Sequence, residues 1–161
     1  MIRDATPADL DDVAALIRAL ADYEELAHEV EWDLELLAET LFGPDAVPRT
    51  LVAVDDATDG VVGIAIWFPT YSTFQARSGI WLEDLFVRPE HRGAGHGRAL
   101  LQALFDRAGS GRVEWAVLDW NKPAIDFYES LGAEAQSEWV KYRLTGDALQ
   151  ALAKQCDSDL P

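Results

Sequence analysis

RPEHRGAGHGRALLQAL, residues 88–104, packs three arginines and three glycines into a turn that then takes helical periodicity. It follows the β-rich run GIWLEDLFV, residues 79–87. A strand that enters a glycine-rich turn and leaves as a helix presents unpaired N–H groups at the positive end of the helix dipole. Glycines at 93, 95 and 97 let main chain approach a ligand without a Cβ in the way. Together these features form a cradle for a diphosphate. Arg88, Arg92 and Arg98 add positive charge, as His91 and His96 do when protonated. The competing reading is a glycine-rich surface turn with scattered arginines.

The rest of the chain makes that basic turn stand out. Its 161 residues carry a formal charge of −16, and residues 1–60 hold 16 acids against 3 bases. A field of that sign attracts a small polycation and repels nucleic acid, which needs clustered Lys and Arg over a wide face. Plain solubility is an equally good account of the bulk charge. Hydrophobic residues at 49% supply a core. No apolar run is long enough to span a membrane, and the N-terminus MIRDATPADL lacks a secretory signal's apolar segment. The single cysteine, Cys156, excludes an internal disulfide framework, so a cytoplasmic location is expected. His28 has no ligand partner at metal spacing, and no metal site is expected.

Working outward, Thr6 and Pro7 open a helix with Leu10, Val13, Ile17, Leu20 and Ala21 on one stripe. Asp33 caps a second helix, with Leu34, Leu37, Ala38 and Leu41 on its stripe. TLVAV (50–54) and VVGIAIWFPTY (61–71) read as a hairpin around DDATDG. After the turn come a helix (98–108), a strand VEWAVL (113–118), a helix KPAIDFYESLG stopped at Gly132, a strand EWVKYRL (138–144) and a closing helix from Thr145 or Asp147. This order gives an α/β fold: one domain over 1–155, helices packed around a mixed sheet, and a frayed tail at 156–161. No Rossmann fingerprint or P-loop is present.

Arg92-Gly93-Ala94-Gly95-His96-Gly97 resembles the Arg/Gln-x-x-Gly-x-Gly/Ala signature of the GNAT N-acetyltransferases. NKPAIDFYESLGA, residues 121–133, is similar to the family's second signature, Asn-x-x-Ala-x-x-Phe-Tyr-x-x-x-Gly. LADYE, WLEDLFV and AVLDWNKPAIDFYESLGA further resemble the diamine branch of the family, which acetylates spermidine, spermine or thialysine. His96 stands where members usually carry an aliphatic residue, and Arg98 where this branch often has a small one.

The resemblance implies a GNAT-like, mostly antiparallel central sheet flanked by helices, acetyl-CoA as co-substrate, a small cationic amine as acceptor and a homodimer. The diphosphate falls to residues 92–98 and the pantetheine arm to the main chain of Leu85, Phe86 and Val87. Asn121 can bond the cofactor's amide arm or simply cap its helix. Lys122, Pro123 and Ala124 carry over as cofactor contacts by position. Tyr128 is the implied acid for the leaving thiolate, a phenol having a reference pKa of about 10; on helical spacing alone it is a buried aromatic.

Glu83 and Asp84 are two carboxylates inside an apolar strand, costly unless partnered. Alternation sends them to opposite faces unless a bulge intervenes. The resemblance makes Glu83 the general base and acceptor contact, with Asp84 beside it. Tyr23 and Glu24 match positions lining the acceptor channel, and Glu114 and Trp115 match acceptor-side positions. Two other readings stay open: acetylation of a peptide or protein amine, and an acetyl-CoA sensor without turnover.

Overall fold

The computed structural model describes residues 1–158. The chain divides into two compact units, Met1–Asp119 and Trp120–Pro161. The first holds the whole sheet. Its strands are β1 (Ile2–Asp4), β2 (Arg49–Val54), β3 (Val61–Ser72), β4 (Arg77–Val87) and β5 (Val113–Trp115), in spatial order β1-β2-β3-β4-β5. The first three pairings are antiparallel and β4–β5 is parallel. Its helices are α1 (Leu10–Tyr23), α2 (Leu34–Phe42) and α3 (His96–Ala108).

Alternation along the strands sorts the core into two layers. Val52, Val54, Ile64, Ile66 and Phe86 pack with Val13, Leu16 and Leu20 of α1. Residues of opposite parity, Leu51, Ala53 and Ala65, are buried on the face that α3 covers with Leu100, Leu101 and Leu104, and an irregularity in the β3–β4 register brings Leu82, paired with Trp67, to the same face. Beyond the helical stripe expected from Leu10 to Ala21, α1 thus buries two further residues, Ala14 and Leu16.

Local chemistry sets the helix starts. Thr6 precedes a 3₁₀ turn, Pro7–Asp9, which runs into α1. Asp9 is buried, and its carboxylate receives both Arg3 guanidinium nitrogens (2.7 and 2.8 Å), the Thr6 N–H (2.7 Å) and the Thr6 hydroxyl (2.9 Å). The Arg3 bonds above all hold its carboxyl far below the usual range. Asp33 caps α2 by accepting the Leu36 N–H at 2.9 Å.

The second unit contains α4 (Lys122–Ser130) and α5 (Gly146–Ser158). Gly132 follows α4 with φ 85°, the left-handed turn expected of a helix stop. Three expectations change. The strand from Val113 ends at Trp115 rather than Leu118. Residues 138–144 form no strand, although apolar and polar residues alternate there. An extended segment becomes a strand only against a partner edge, and β5 is the last strand of the sheet. Finally, α5 continues through Ser158, into the stretch expected to fray, while residues 159–161 lie outside those described. No helix among the described residues is long and apolar enough to cross a membrane.

Candidate active site

The glycine turn takes the form its sequence predicts. Gly93 and Gly95 have φ of 81° and 86°, in the left-handed region, and a Cβ at either would meet only open space. Gly95 is the N-cap of α3, so the N–H groups that follow it have no intrahelical acceptor. Ala94 and Arg98 are exposed beside them, while His96 and Gly97 are half-buried. Arg92, itself exposed, folds back on the strand before the turn: its Nε donates to the Val87 carbonyl at 3.1 Å. Its guanidinium lies 5.1 Å from the Tyr23 ring centre and 5.5 Å from that of Phe86. A planar cation stacked on two rings braces the turn against the end of α1 and the core.

The adjoining strand offers an open edge. The Arg88 N–H donates to the Val62 carbonyl at 2.9 Å, which fixes the phase of the β3–β4 ladder. In an antiparallel pair the bonded positions alternate, so Phe86 turns its main-chain groups toward β3 while Leu85 and Val87 turn theirs to the other side. On that other side β5 reaches only as far as Trp115, opposite Leu82. Of the three residues expected to offer main chain, Leu85 and Val87 are therefore placed to do so. Phe86 is not: its backbone is in the ladder and its ring in the core.

A bulge decides where the two carboxylates point. Ile66 pairs with Asp84, yet Trp67 pairs with Leu82, so Glu83 is an extra residue in β4. Asp84 consequently shares the face of Ile66, beneath α1. Glu83 is exposed and accepts a hydrogen bond from the Trp81 indole at 2.7 Å. Trp81 was not singled out from sequence, although its spacing of two from Glu83 is the available signal.

Glu24 completes the group. α1 ends with the Leu26 N–H bonded to the Ala21 carbonyl (2.8 Å) and with Glu25 at φ 60°, a position that favours glycine. This holds Glu24, half-buried, at the negative end of the helix dipole. Burial raises the Glu24 carboxyl above its ordinary value. Burial first, then the charges of Glu83 and Glu24, push Asp84 up to about 6. None of the ion pairs among the described residues involves any of the three. On β5, Glu114 lies opposite Trp81 but is held by the Arg112 Nε at 2.6 Å, and half-buried Trp115 lies opposite Leu82.

The remaining candidates belong to the second unit. Asn121 is buried and caps α4, accepting the Ala124 N–H at 3.3 Å. Lys122 pairs with Asp126 one turn on, and Pro123 occupies the first turn. The Tyr128 ring is half-buried and lies 5.6 Å from that of Phe127. His28, exposed, faces Glu29 at 3.4 Å. His91 and His96, by contrast, come together with Asp55, a grouping that adjacent sequence does not reveal.

The sequence and fold have counterparts among known proteins. Residues 13–133 match the model of the Acetyltransferase (GNAT) family. A bovine thialysine N-epsilon-acetyltransferase is 38% identical over 165 residues, covering 95% of this chain and 96% of the relative. An L-ornithine N5-acetyltransferase from Arabidopsis thaliana is 36% identical, covering 95% of this chain and 87% of the relative. Among solved structures, an integron cassette protein from the mobile metagenome of V. cholerae superimposes with a TM-score of 0.78 at 26% identity, covering 96% of this chain and 97% of that one.

Proposed function

The chain belongs to the GNAT acetyltransferases, and from that premise we propose that it moves the acetyl group of acetyl-CoA to a primary amine of a small acceptor bearing a second cationic centre, such as ornithine, thialysine or a short polyamine. One observation carries the choice of acceptor. Glu24, Glu83 and Asp84 converge at the end of α1 and the β4 bulge, and no cation among the described residues is paired to them. Three carboxylates at the negative end of a helix form an arrangement that a bound dication relieves. Relatives that act on ornithine and thialysine support the same class.

The chemistry asks for a neutral amine, a polarised thioester carbonyl and a protonated leaving thiolate. Acetyl-CoA supplies the activated acetyl group. In this reading the first-turn amides after Gly95 and the Arg98 side chain hold the diphosphate. The Leu85 and Val87 main chain, on the open edge, holds the arm and offers an N–H to the carbonyl oxygen, where charge develops. Asp84 takes the amine's proton, because a carboxyl with a pKa of about 6 is poised near neutrality. Glu83, the base implied by resemblance, then contributes field and acceptor contact through its Trp81-fixed carboxylate. Tyr128 remains the proposed acid on the strength of the second signature.

A homodimer in the cytoplasm completes the reading. Trp139, Val140 and Tyr142 are 77%, 72% and 90% exposed, an apolar row of the kind a partner covers. The test is CoA release with ornithine, thialysine, spermidine and lysine peptides, alongside light scattering for mass. Turnover with the small diamino compounds is expected. Turnover with peptides alone, or CoA binding without turnover on any amine, would replace this acceptor class.

A further inference from the structure

Asp55, His91 and His96 come from three separate places in the chain: the residue that follows β2, the 3₁₀ turn Pro89–His91 and the first residue of α3. One ligand atom from each lies within 4.8 Å of the others, and all three residues are half-buried. His91 Nδ1 lies 3.7 Å from Asp55 Oδ2. The other Asp55 oxygen, Oδ1, is already committed: it accepts the Ala57 N–H (3.0 Å), the Thr58 N–H (3.0 Å) and the Thr58 hydroxyl (3.2 Å). Those bonds fix the carboxylate plane and leave Oδ2 turned toward the two imidazoles. Support of this kind behind a carboxylate is what orients a metal ligand.

We propose that Asp55, His91 and His96 form a binding site for a divalent transition ion of the zinc class. Two imidazoles and one carboxylate suit a borderline ion and leave a coordination position for water. Bound donors sit about 2.0–2.2 Å from zinc, so the three atoms close by roughly an ångström through side-chain rotation. The ion ties both ends of the glycine turn, at residues 91 and 96, to the end of β2. It thereby stiffens the cradle in addition to the Arg92 brace. This site is independent of the acetyl-transfer reading and stands or falls on direct metal binding.

The chain has three histidines, which makes the test clean. Zinc added to the unmodified full chain is followed by calorimetry and by the imidazole resonances. One ion per chain is expected, with the His91 and His96 signals shifting and His28 unmoved. His91→Asn and His96→Asn should each weaken zinc binding more than about 100-fold, whereas His28→Asn and Cys156→Ser should bind as the parent does. Because an ion that binds only folded chain raises the Tm, zinc should raise it for the parent and not for the two variants. Tm without zinc shows that each variant folds. Absence of stoichiometric binding, binding that survives both substitutions, or shifts confined to His28 would overturn the site.

Discussion

Asp9 and Asp84 are both carboxylates taken out of water, and they are treated in opposite ways. At the corner of β1 and α1, Asp9 receives a two-pronged arginine and two groups of Thr6, and its carboxyl stays ionised. At the β4 bulge, Asp84 is desolvated beside Glu83 and Glu24 with no cation among the described residues paired to it, and its carboxyl is pushed up to about 6. The first is a group whose charge the fold has already answered, and it holds a strand to a helix. The second has its charge unanswered, and the free energy left unspent there is available to a ligand.

Substituting Asp84 tests this contrast most severely. Asp84→Asn is expected to lower kcat/KM by about 10²–10³-fold, the range of a lost general base. The same variant should be more stable than the parent at pH 8. Since the folded pKa lies above the unfolded one, the folded chain holds the extra proton between about pH 4 and 6, and stability declines as pH rises through that window. The gain in Asn, on the order of 2 kcal/mol above pH 7, should vanish at pH 4. Urea melts at the two pH values measure it, and an equal gain at both would break the contrast.

The mirror experiment is Arg3→Met. Leaving Asp9 buried with its Thr6 bonds but no cation should cost about 3 kcal/mol at neutral pH with kcat of the folded enzyme unchanged. Here the folded pKa is lowered, so the contribution is present above about pH 4 and fades as pH falls further. Glu24→Gln should raise KM for a dicationic acceptor about tenfold, with less effect on kcat and little on a monoamine; steady-state kinetics with the two acceptor types decide it. Smallest of all, Trp81→Phe removes one indole bond to Glu83 and should change kcat/KM by about fivefold, the worth of a single hydrogen bond.

The glycine turn was legible because everything it needs is local: a strand before it, glycines where φ must be positive and an amphipathic helix after it. The two hairpin strands and the caps at Thr6 and Asp33 were legible for the same reason. The face on which Asp84 lies was not. It depends on whether Trp67 pairs with Leu82 or with Glu83, a matter of register between two strands that neither strand writes alone. The grouping of Asp55 with His91 and His96 depends likewise on β2 ending beside the turn. Residues 138–144 taught the converse: Trp139, Lys141 and Tyr142 carry a strand-like pattern, but pattern without a ladder leaves an exposed segment.

One further detail of β3 reaches beyond the single molecule. β2 reaches only to Arg49, opposite Trp67, so β3 runs on past it with no strand among the described residues paired to that flank. Pro69 sits on that stretch, opposite Ile80, whose own N–H goes across to the Arg112 carbonyl. The pair is thus a non-bonded one, and the amide that proline lacks is the one that would have faced outward. A stray chain laid along this flank finds a ring where it needs a donor, so the longest strand of the protein is a poor template for amyloid-like growth.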